Sequence, residues 1–140
     1  MSRYRFRLES VLRVRRVQEE RARAQLARAR LEELEARRAT EERKGRLRRH
    51  AEVGLPSGDS VMWKAQRDRG ERLAAAVAAS HVAELHAAEL STRRLEDWER
   101  AAADLRALER LDERQRDLWR GEQLREEQRT LDEIRPRRQP

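Results

Sequence analysis

Apolar residues recur along the first part of the chain at alternating steps of three and four, which is the spacing of one α-helix face. Glutamate also precedes arginine by four residues at several positions, the orientation that supports a helix. The pattern predicts one helical arm over about residues 6–53. Its apolar stripe comprises Val14, Val17, Ala24, Ala27, Leu31 and Leu34, with Leu26 and Ala29 beside it.

A second arm is predicted over about residues 61–135, with a looser stripe because polar residues interrupt it. Gly70 marks residues 60–69 as a candidate short extra helix, and Gly121 marks a candidate bend. Pro136 ends the arm, since the residue before a proline is pushed out of the helical region, and leaves a tail at 136–140. The stripe comprises Leu73, Val77, Ser80, Ala83 or Glu84, Ala87, Leu90, Arg94, Trp98, Ala101, Leu105, Leu108, Leu111, Gln115 and Leu118.

Between the arms, residues 54–60 form the chain's single cluster of helix-breaking chemistry, with Gly54, Pro56 and Gly58, and Asp59 or Ser60 can cap the second arm. One turn between two long arms predicts an all-α fold, a long two-helix antiparallel coiled-coil hairpin in a single domain, with the short extra helix after the turn as an option. Arm two is the longer by tens of ångströms, so an overhang is expected near residues 110–135. An unpaired helix end of this kind suggests partner binding.

Composition supports a narrow helical seam. Charged residues make up 44% of the chain, hydrophobic residues 37% and aromatic residues 4%, and the low proline and glycine counts (3 and 5) favour a seam over disorder. The chain has no cysteine, which excludes disulfides and thiolate chemistry. No apolar run approaches the roughly 20 residues that span a bilayer, and the N-terminus lacks the apolar core of a secretory signal, so a cytoplasmic protein is expected.

Positive charge is concentrated in the first arm. The net charge is +7; residues 1–53 hold 17 Lys/Arg against 9 Asp/Glu, whereas residues 61–135 hold 15 against 17. Opposite balances favour pairing of the arms, although an exposed ion pair contributes only about 0.2–1 kcal/mol. Arginines near the N-terminus form a cluster that is either a solvated face or a surface for an acidic protein, a membrane or nucleic acid. It consists of Arg3, Arg5, Arg7, Arg13, Arg15 and Arg16.

Candidate chemistry is sparse. The three histidines are scattered, no metal-ligand spacing or nucleophile with a base is found, and no glycine-rich phosphate loop appears. We therefore expect no enzyme activity, no cofactor, no metal and no small-molecule substrate. Among the tryptophans, Trp98 falls on the seam, Trp63 covers the turn or anchors a partner, and Trp119 serves either partner contact or intramolecular packing.

Three segments resemble the flagellar FliJ family. The opening Phe6-Arg-Leu8-Glu9-Ser-Val11-Leu12-Arg13, the stretch from Leu105 to Arg114, and the closing Leu131-Asp132-Glu133-Ile134 match the family's short motifs in order and spacing. The resemblance covers nearly the whole chain. FliJ proteins are components of the flagellar type III export apparatus, and their fold is an antiparallel coiled coil similar to the central stalk of rotary ATPases.

The resemblance implies a non-enzymatic coupling rod of bacterial flagellum biogenesis, and so of motility and chemotaxis, in the cytoplasm at the inner membrane face of the flagellar base. The end with both termini would enter the ring of the hexameric export ATPase FliI. The start of arm two would meet the membrane-embedded export gate FlhA, and export chaperones are further candidate partners.

Carried over onto this chain, gate contact falls to Trp63, Arg69 and Leu73, although relatives often place an apolar or aromatic residue where Arg69 stands. Trp119 is a further candidate contact on the overhang. Ring contact falls to Phe6, Leu8, Leu12, Arg13, Leu131, Asp132 and Ile134.

Two other functions fit the residues. A basic helical hairpin could bind nucleic acid or the ribosome through the cluster between Arg3 and Arg16. Against this, arm two is net acidic and no aromatic platform accompanies the basic residues. A generic coiled-coil scaffold with an unrelated partner is the other alternative.

Overall fold

The computed structural model describes residues 3–134, and two helices account for nearly all of them: α1 spans Glu9–Glu52 and α2 spans Ser60–Ile134. Residues 3–134 contain no strand and are 90% helical. This confirms the all-α prediction. The expected tail at 136–140 lies outside the described residues. None of the helices in the described part of the chain has an apolar stretch long enough to cross a membrane.

The ends of the helices follow from local chemistry. Glu9 lies in the first turn of α1, where its charge complements the positive end of the helix dipole. Just past the end of α1, Gly54 has a φ of 74°, the left-handed conformation that commonly ends a helix and that glycine adopts without strain. At the start of α2, Asp59 Oδ1 accepts a hydrogen bond from the backbone N–H of Met62 at 3.1 Å, so Asp59 is the cap.

Helix α2 runs without interruption through Gly70 and Gly121. The optional short helix over residues 60–69 is therefore part of α2. At Gly70 the missing side chain makes room for α1, because an added Cβ would lie 3.0 Å from His50 Nε2. Close approach of the two helices thus compensates for the poor helix propensity of this glycine.

The chain divides into two compact units, one formed by residues up to 20 together with those from 99 onward, the other by residues 21–98. In the second unit, Gln25 contacts Arg94 at 3.2 Å and Thr40 contacts Ser80 at 3.1 Å, so α1 and α2 run in opposite directions. Within the first unit, the start of α1 likewise contacts the later part of α2, with Arg15 Nη1 3.2 Å from Asp104 Oδ2. Both units therefore confirm antiparallel pairing.

The face that α1 turns toward α2 is not the predicted one. Leu26 and Ala29 are 6% and 3% exposed, whereas Leu31 is 60% exposed. Leu26 and Ala29, which were expected beside the stripe, thus lie at its centre. The predicted position of the stripe on α1 was wrong by about two residues. The predicted members that lie exposed are Val14, Val17, Ala24, Ala27, Leu31 and Leu34.

Polar side chains in the seam explain the choice of face. Thr40 is 1% exposed and Ser80 is 5% exposed, and their hydroxyl oxygens lie 3.1 Å apart. Arg43 Nη1 donates to Ser80 Oγ at 2.8 Å, and Thr40 Oγ donates to the carbonyl of Ala36 at 3.0 Å. Buried hydroxyls are stable only when hydrogen-bonded, and this pairing satisfies them.

The predicted stripe of α2 agrees better with the structure. Most of its members, from Leu73 to Leu108, are buried or half-buried. It departs by one residue at two places: Ser91 is buried where Leu90 was expected, and Trp119 is half-buried while Leu118 is 67% exposed. Ser91 and Trp119 keep the seven-residue spacing of Glu84, Trp98, Leu105 and Asp112, all of them buried or half-buried, and the prediction left that spacing by choosing the neighbouring leucines.

Candidate partner-binding surfaces

The N-terminal segment is anchored on α2 by Tyr4. Its hydroxyl lies 2.7 Å from Asp112 Oδ1, to which it donates, and 3.2 Å from the Asp112 carbonyl oxygen. The Tyr4 ring packs against Trp119 with ring centroids 5.9 Å apart, and the Arg116 guanidinium carbon lies 5.2 Å from the Tyr4 centroid. Aromatic and cation–π contacts of this geometry hold the segment in a defined position.

The surroundings of Tyr4 raise the pKa of its phenol. Loss of solvent around the phenol, the hydrogen bond to Asp112 and the negative charge of Asp112 raise the pKa of Tyr4 above its ordinary value of 10.0, and the positive charge of Arg116 opposes them. The phenol therefore keeps its proton, and its hydrogen bond to the carboxylate, at neutral pH. Sequence analysis did not single out Tyr4, although it is the only tyrosine in the chain.

The family's opening motif packs inward. Phe6 is 6% exposed and Leu12 is 5% exposed, and Leu8 is half-buried. These three residues were predicted to contact an ATPase ring, and their apolar surface is largely occupied inside the same chain. Arg13, which completes the motif, is exposed.

Arginines precede and follow Tyr4 along the chain, and only some of them form ion pairs. Arg15 pairs with Asp104 at 3.2 Å and Arg16 lies 4.0 Å from Glu109. Arg3, Arg5, Arg7 and Arg13 are exposed and form no ion pair within residues 3–134. We call these four the arginine cluster. A cavity of about 220 Å³ lies beside it, lined by Arg5, Phe6, Arg13, Arg16, Asp112 and Arg116, among others.

The last turns of α2 expose apolar side chains. Leu124 is 62% exposed, Leu131 is 65% exposed and Ile134 is 70% exposed. Asp132, between the last two, is also exposed. Three of the predicted ring contacts therefore have free surface here. Trp119, the other residue proposed on the overhang, contacts Tyr4 instead, which is the intramolecular packing that sequence analysis had left open.

A second candidate surface lies at the turn between the helices. Val53 is 77% exposed, Leu55 75%, Val61 71%, Met62 54% and Trp63 44%. We call these five residues the turn surface. Only Trp63 was singled out from the sequence; the signal for the others was their position in or next to the helix break.

The three predicted gate residues line two separate cavities. Trp63 lines one of about 450 Å³ together with His50, Leu55 and Gly70. Arg69, which is exposed, and Leu73, which is half-buried, line another of about 390 Å³. The first cavity is mainly apolar and the second mainly polar, so they suit different parts of a partner.

Among residues 3–134, no group of three or more His, Cys, Asp or Glu side chains lies close enough to hold a metal ion. The cavities are open and are lined by arginine and carboxylate groups that pair at the helix surface. The surfaces described above are suited to contact with macromolecules.

Comparison with models of known protein families matches residues 4–138 to the flagellar FliJ protein family. Curated proteins and solved structures gave no match. The family is a flagellar export component that is not known as an enzyme, which assigns this chain an export-related role with partners in the flagellar export apparatus. Because the match covers almost every residue of the chain, this protein belongs to the FliJ family.

Proposed function

We propose that the protein is a stalk-like coupling component of flagellar type III export, linking the hexameric ATPase FliI to the export gate FlhA. The observation that carries the proposal is the arginine cluster around the Tyr4 anchor, an exposed cationic surface that forms no ion pair in the described part of the chain. Such a surface favours association with a partner that supplies carboxylates. We include export chaperones among its partners.

In this proposal the ring contacts divide into two kinds. Arg13, Asp132 and the exposed apolar residues Leu131 and Ile134 touch the ATPase directly. Phe6, Leu8 and Leu12 instead act mainly by holding the first turn of α1 against α2, so that Arg13 is presented in one orientation. Trp119 does the same through Tyr4. Preorganisation of this kind raises affinity because less conformational entropy is lost on binding.

The gate contact is proposed for Trp63, Arg69 and Leu73, at the start of α2. Trp63 is partly exposed beside an apolar cavity and can act as an aromatic anchor. The cation of Arg69 would pair with a carboxylate of the gate. These contacts would hold the protein in the cytoplasm, peripherally at the membrane, through the export apparatus.

The test uses the purified protein with its cognate ATPase. We expect the two to co-elute and the protein to stimulate ATP hydrolysis. Arg13→Glu with Ile134→Asp should weaken binding by roughly 30-fold or more, the effect of losing about 2 kcal/mol at a hot spot. Arg38→Glu is the matched control, since Arg38 is equally exposed in residues 21–98 and forms no ion pair there. A wild-type protein that neither co-elutes nor stimulates contradicts the proposal.

Nucleic-acid binding is the second candidate, favoured by the same four unpaired arginines. Binding to phosphates releases counterions, so affinity for a duplex or an RNA would fall steeply as salt rises. Salt titration of a labelled oligonucleotide therefore tests this function. The net acidic second arm opposes general nucleic-acid contact. Absence of binding at low salt rules it out.

A further inference from the structure

The turn surface exposes more apolar area than a helix connection needs. Val53, Leu55 and Val61 each expose more than 70% of their surface, and Met62 and Trp63 expose about half. All five lie within eleven residues, in or next to the break at residues 54–59. A cluster of this size on a surface usually marks an interaction site.

Basic side chains accompany these apolar residues. Arg48 and Arg49 lie in the last turns of α1, and Lys64, Arg67 and Arg69 in the first turns of α2, all exposed. We call these five the basic collar. Arg67 pairs with Glu71 at 3.2 Å while its side chain stays 81% exposed, and the other four form no ion pair within residues 3–134.

The acidic groups nearest the turn are fewer. Glu52 and Asp59 are the two carboxylates between the halves of the collar, and Asp59 is engaged as the cap of α2. With Asp68, which lies between Arg67 and Arg69, residues 48–69 hold five Lys/Arg against three Asp/Glu, so positive charge is still in excess around the apolar residues. An excess of positive charge next to exposed apolar side chains is the combination that binds an anionic bilayer surface.

We propose that the turn surface inserts into the boundary between headgroups and acyl chains of an anionic lipid bilayer, with the basic collar on the lipid phosphates. The side chains of Val53, Leu55 and Val61 project into solvent instead of forming one rigid shape, which suits fluid acyl chains better than a fixed protein groove. Trp63 suits the interface, because indole combines an apolar ring with a polar N–H. This inference goes beyond the coupling function and does not depend on it.

The test measures binding of the full chain to vesicles of phosphatidylcholine alone or mixed with phosphatidylglycerol. We expect binding to the mixed vesicles, much weaker binding to the neutral ones, and loss on adding salt. Lipids brominated on the acyl chain should quench Trp63 fluorescence, and Trp63→Phe should remove that quenching while most binding remains. The other two tryptophans, Trp98 and Trp119, are half-buried, and Trp119 packs against Tyr4.

Two sets of variants separate the apolar and the charged contributions. Leu55→Asp should weaken binding at least tenfold, whereas Leu85→Asp, at a leucine of α2 that is 58% exposed, should leave it unchanged. Removing one collar charge, Arg48→Gln or Lys64→Gln, should each cost about fivefold on anionic vesicles. Both charges lie on the surface, so circular dichroism should show the same helicity as wild type.

Three results would overturn the proposal. The first is absence of binding to anionic vesicles. The second is binding that Leu55→Asp retains without Trp63 quenching, which would assign membrane contact to the arginine cluster near the N-terminus. The third is binding of the turn surface to the isolated gate protein with no affinity for vesicles, which would make this surface a protein-docking site.

Discussion

Replacing Leu26 with alanine tests which face of α1 meets α2. Leu26 is 6% exposed, so the substitution removes three buried carbon atoms and leaves a gap in the seam. Buried Leu→Ala changes cost about 2–5 kcal/mol, and a two-helix seam that water can reach should lie near the lower end, at about 2–3 kcal/mol. For a chain of this length, such a loss lowers Tm by roughly 10 °C.

Leu31→Ala is the matched control, because both leucines lie in the same unit, on the same helix, and differ mainly in exposure. Leu31 is 60% exposed, and alanine is the better helix former, so the change should cost about 0.5 kcal/mol or less. Urea and thermal unfolding followed by circular dichroism measure both variants. A larger loss for Leu31→Ala than for Leu26→Ala would refute the assigned seam and restore the face inferred from the sequence.

Two further predictions concern the termini and the turn. The raised pKa of Tyr4 means that the folded state holds the phenolic proton more tightly, so its contribution to stability is complete below pH 10.0 and is lost as pH rises through the raised value. Tyrosinate absorbance of this single tyrosine should titrate above pH 10.0 in the wild type and at a lower pH in Asp112→Ala than in the wild type, since loss of solvent around the phenol remains in the variant. Equal titration in both proteins would contradict the hydrogen bond. Gly54→Ala should destabilise the fold by about 1 kcal/mol, since φ is 74° there, whereas Gly121→Ala should stabilise it by about 0.5–1 kcal/mol because an added methyl meets nothing within 4 Å. The same sign of effect at both glycines in urea unfolding would contradict this reasoning.

The helices and the break between them could be predicted because they depend on local chemistry. Ala, Leu, Arg and Glu favour helix wherever they stand, and the left-handed Gly54 ends α1 through its own backbone freedom. The caps also needed only neighbouring residues, as the hydrogen bond between Asp59 and Met62 illustrates. None of these features required knowledge of the partner helix.

The seam of α1 could not be predicted in the same way, because the helix carries apolar residues on two faces. Leu26 and Ala29 lie on one, Leu31 and Leu34 on the other, and their periodicities are equally regular. Which face is buried depends on the residues of α2 at the same level, which one helix's pattern does not contain. Leucines that look equivalent in the sequence therefore differ tenfold in exposure.

The candidate surfaces were predicted in part. Trp63 and the arginine cluster stand out by residue type, so sequence analysis found them. Tyr4 was missed because its role arises from Asp112 and Trp119, more than 100 residues away in the chain. The inward packing of Phe6 was missed for the same reason, since a motif does not reveal whether its apolar side chain faces a partner or its own chain.

The hydroxyl pair of Thr40 and Ser80 favours one alignment of α1 along α2. Thr40 donates to the Ala36 carbonyl, so Ser80 must donate to Thr40 while accepting from Arg43, and each of the two hydroxyl protons has one acceptor. Sliding α1 along α2 by one heptad would remove the Thr40 and Arg43 partners of the Ser80 hydroxyl, at a cost of about 1–3 kcal/mol, while Thr40 would keep the Ala36 carbonyl of its own helix. Apolar contacts between alanine-rich helices discriminate weakly between registers, so this polar group supplies much of the specificity. Because the face of α1 that carries Thr40 lies in the seam, Leu31 and Leu34 lie outside it, where a partner can reach them.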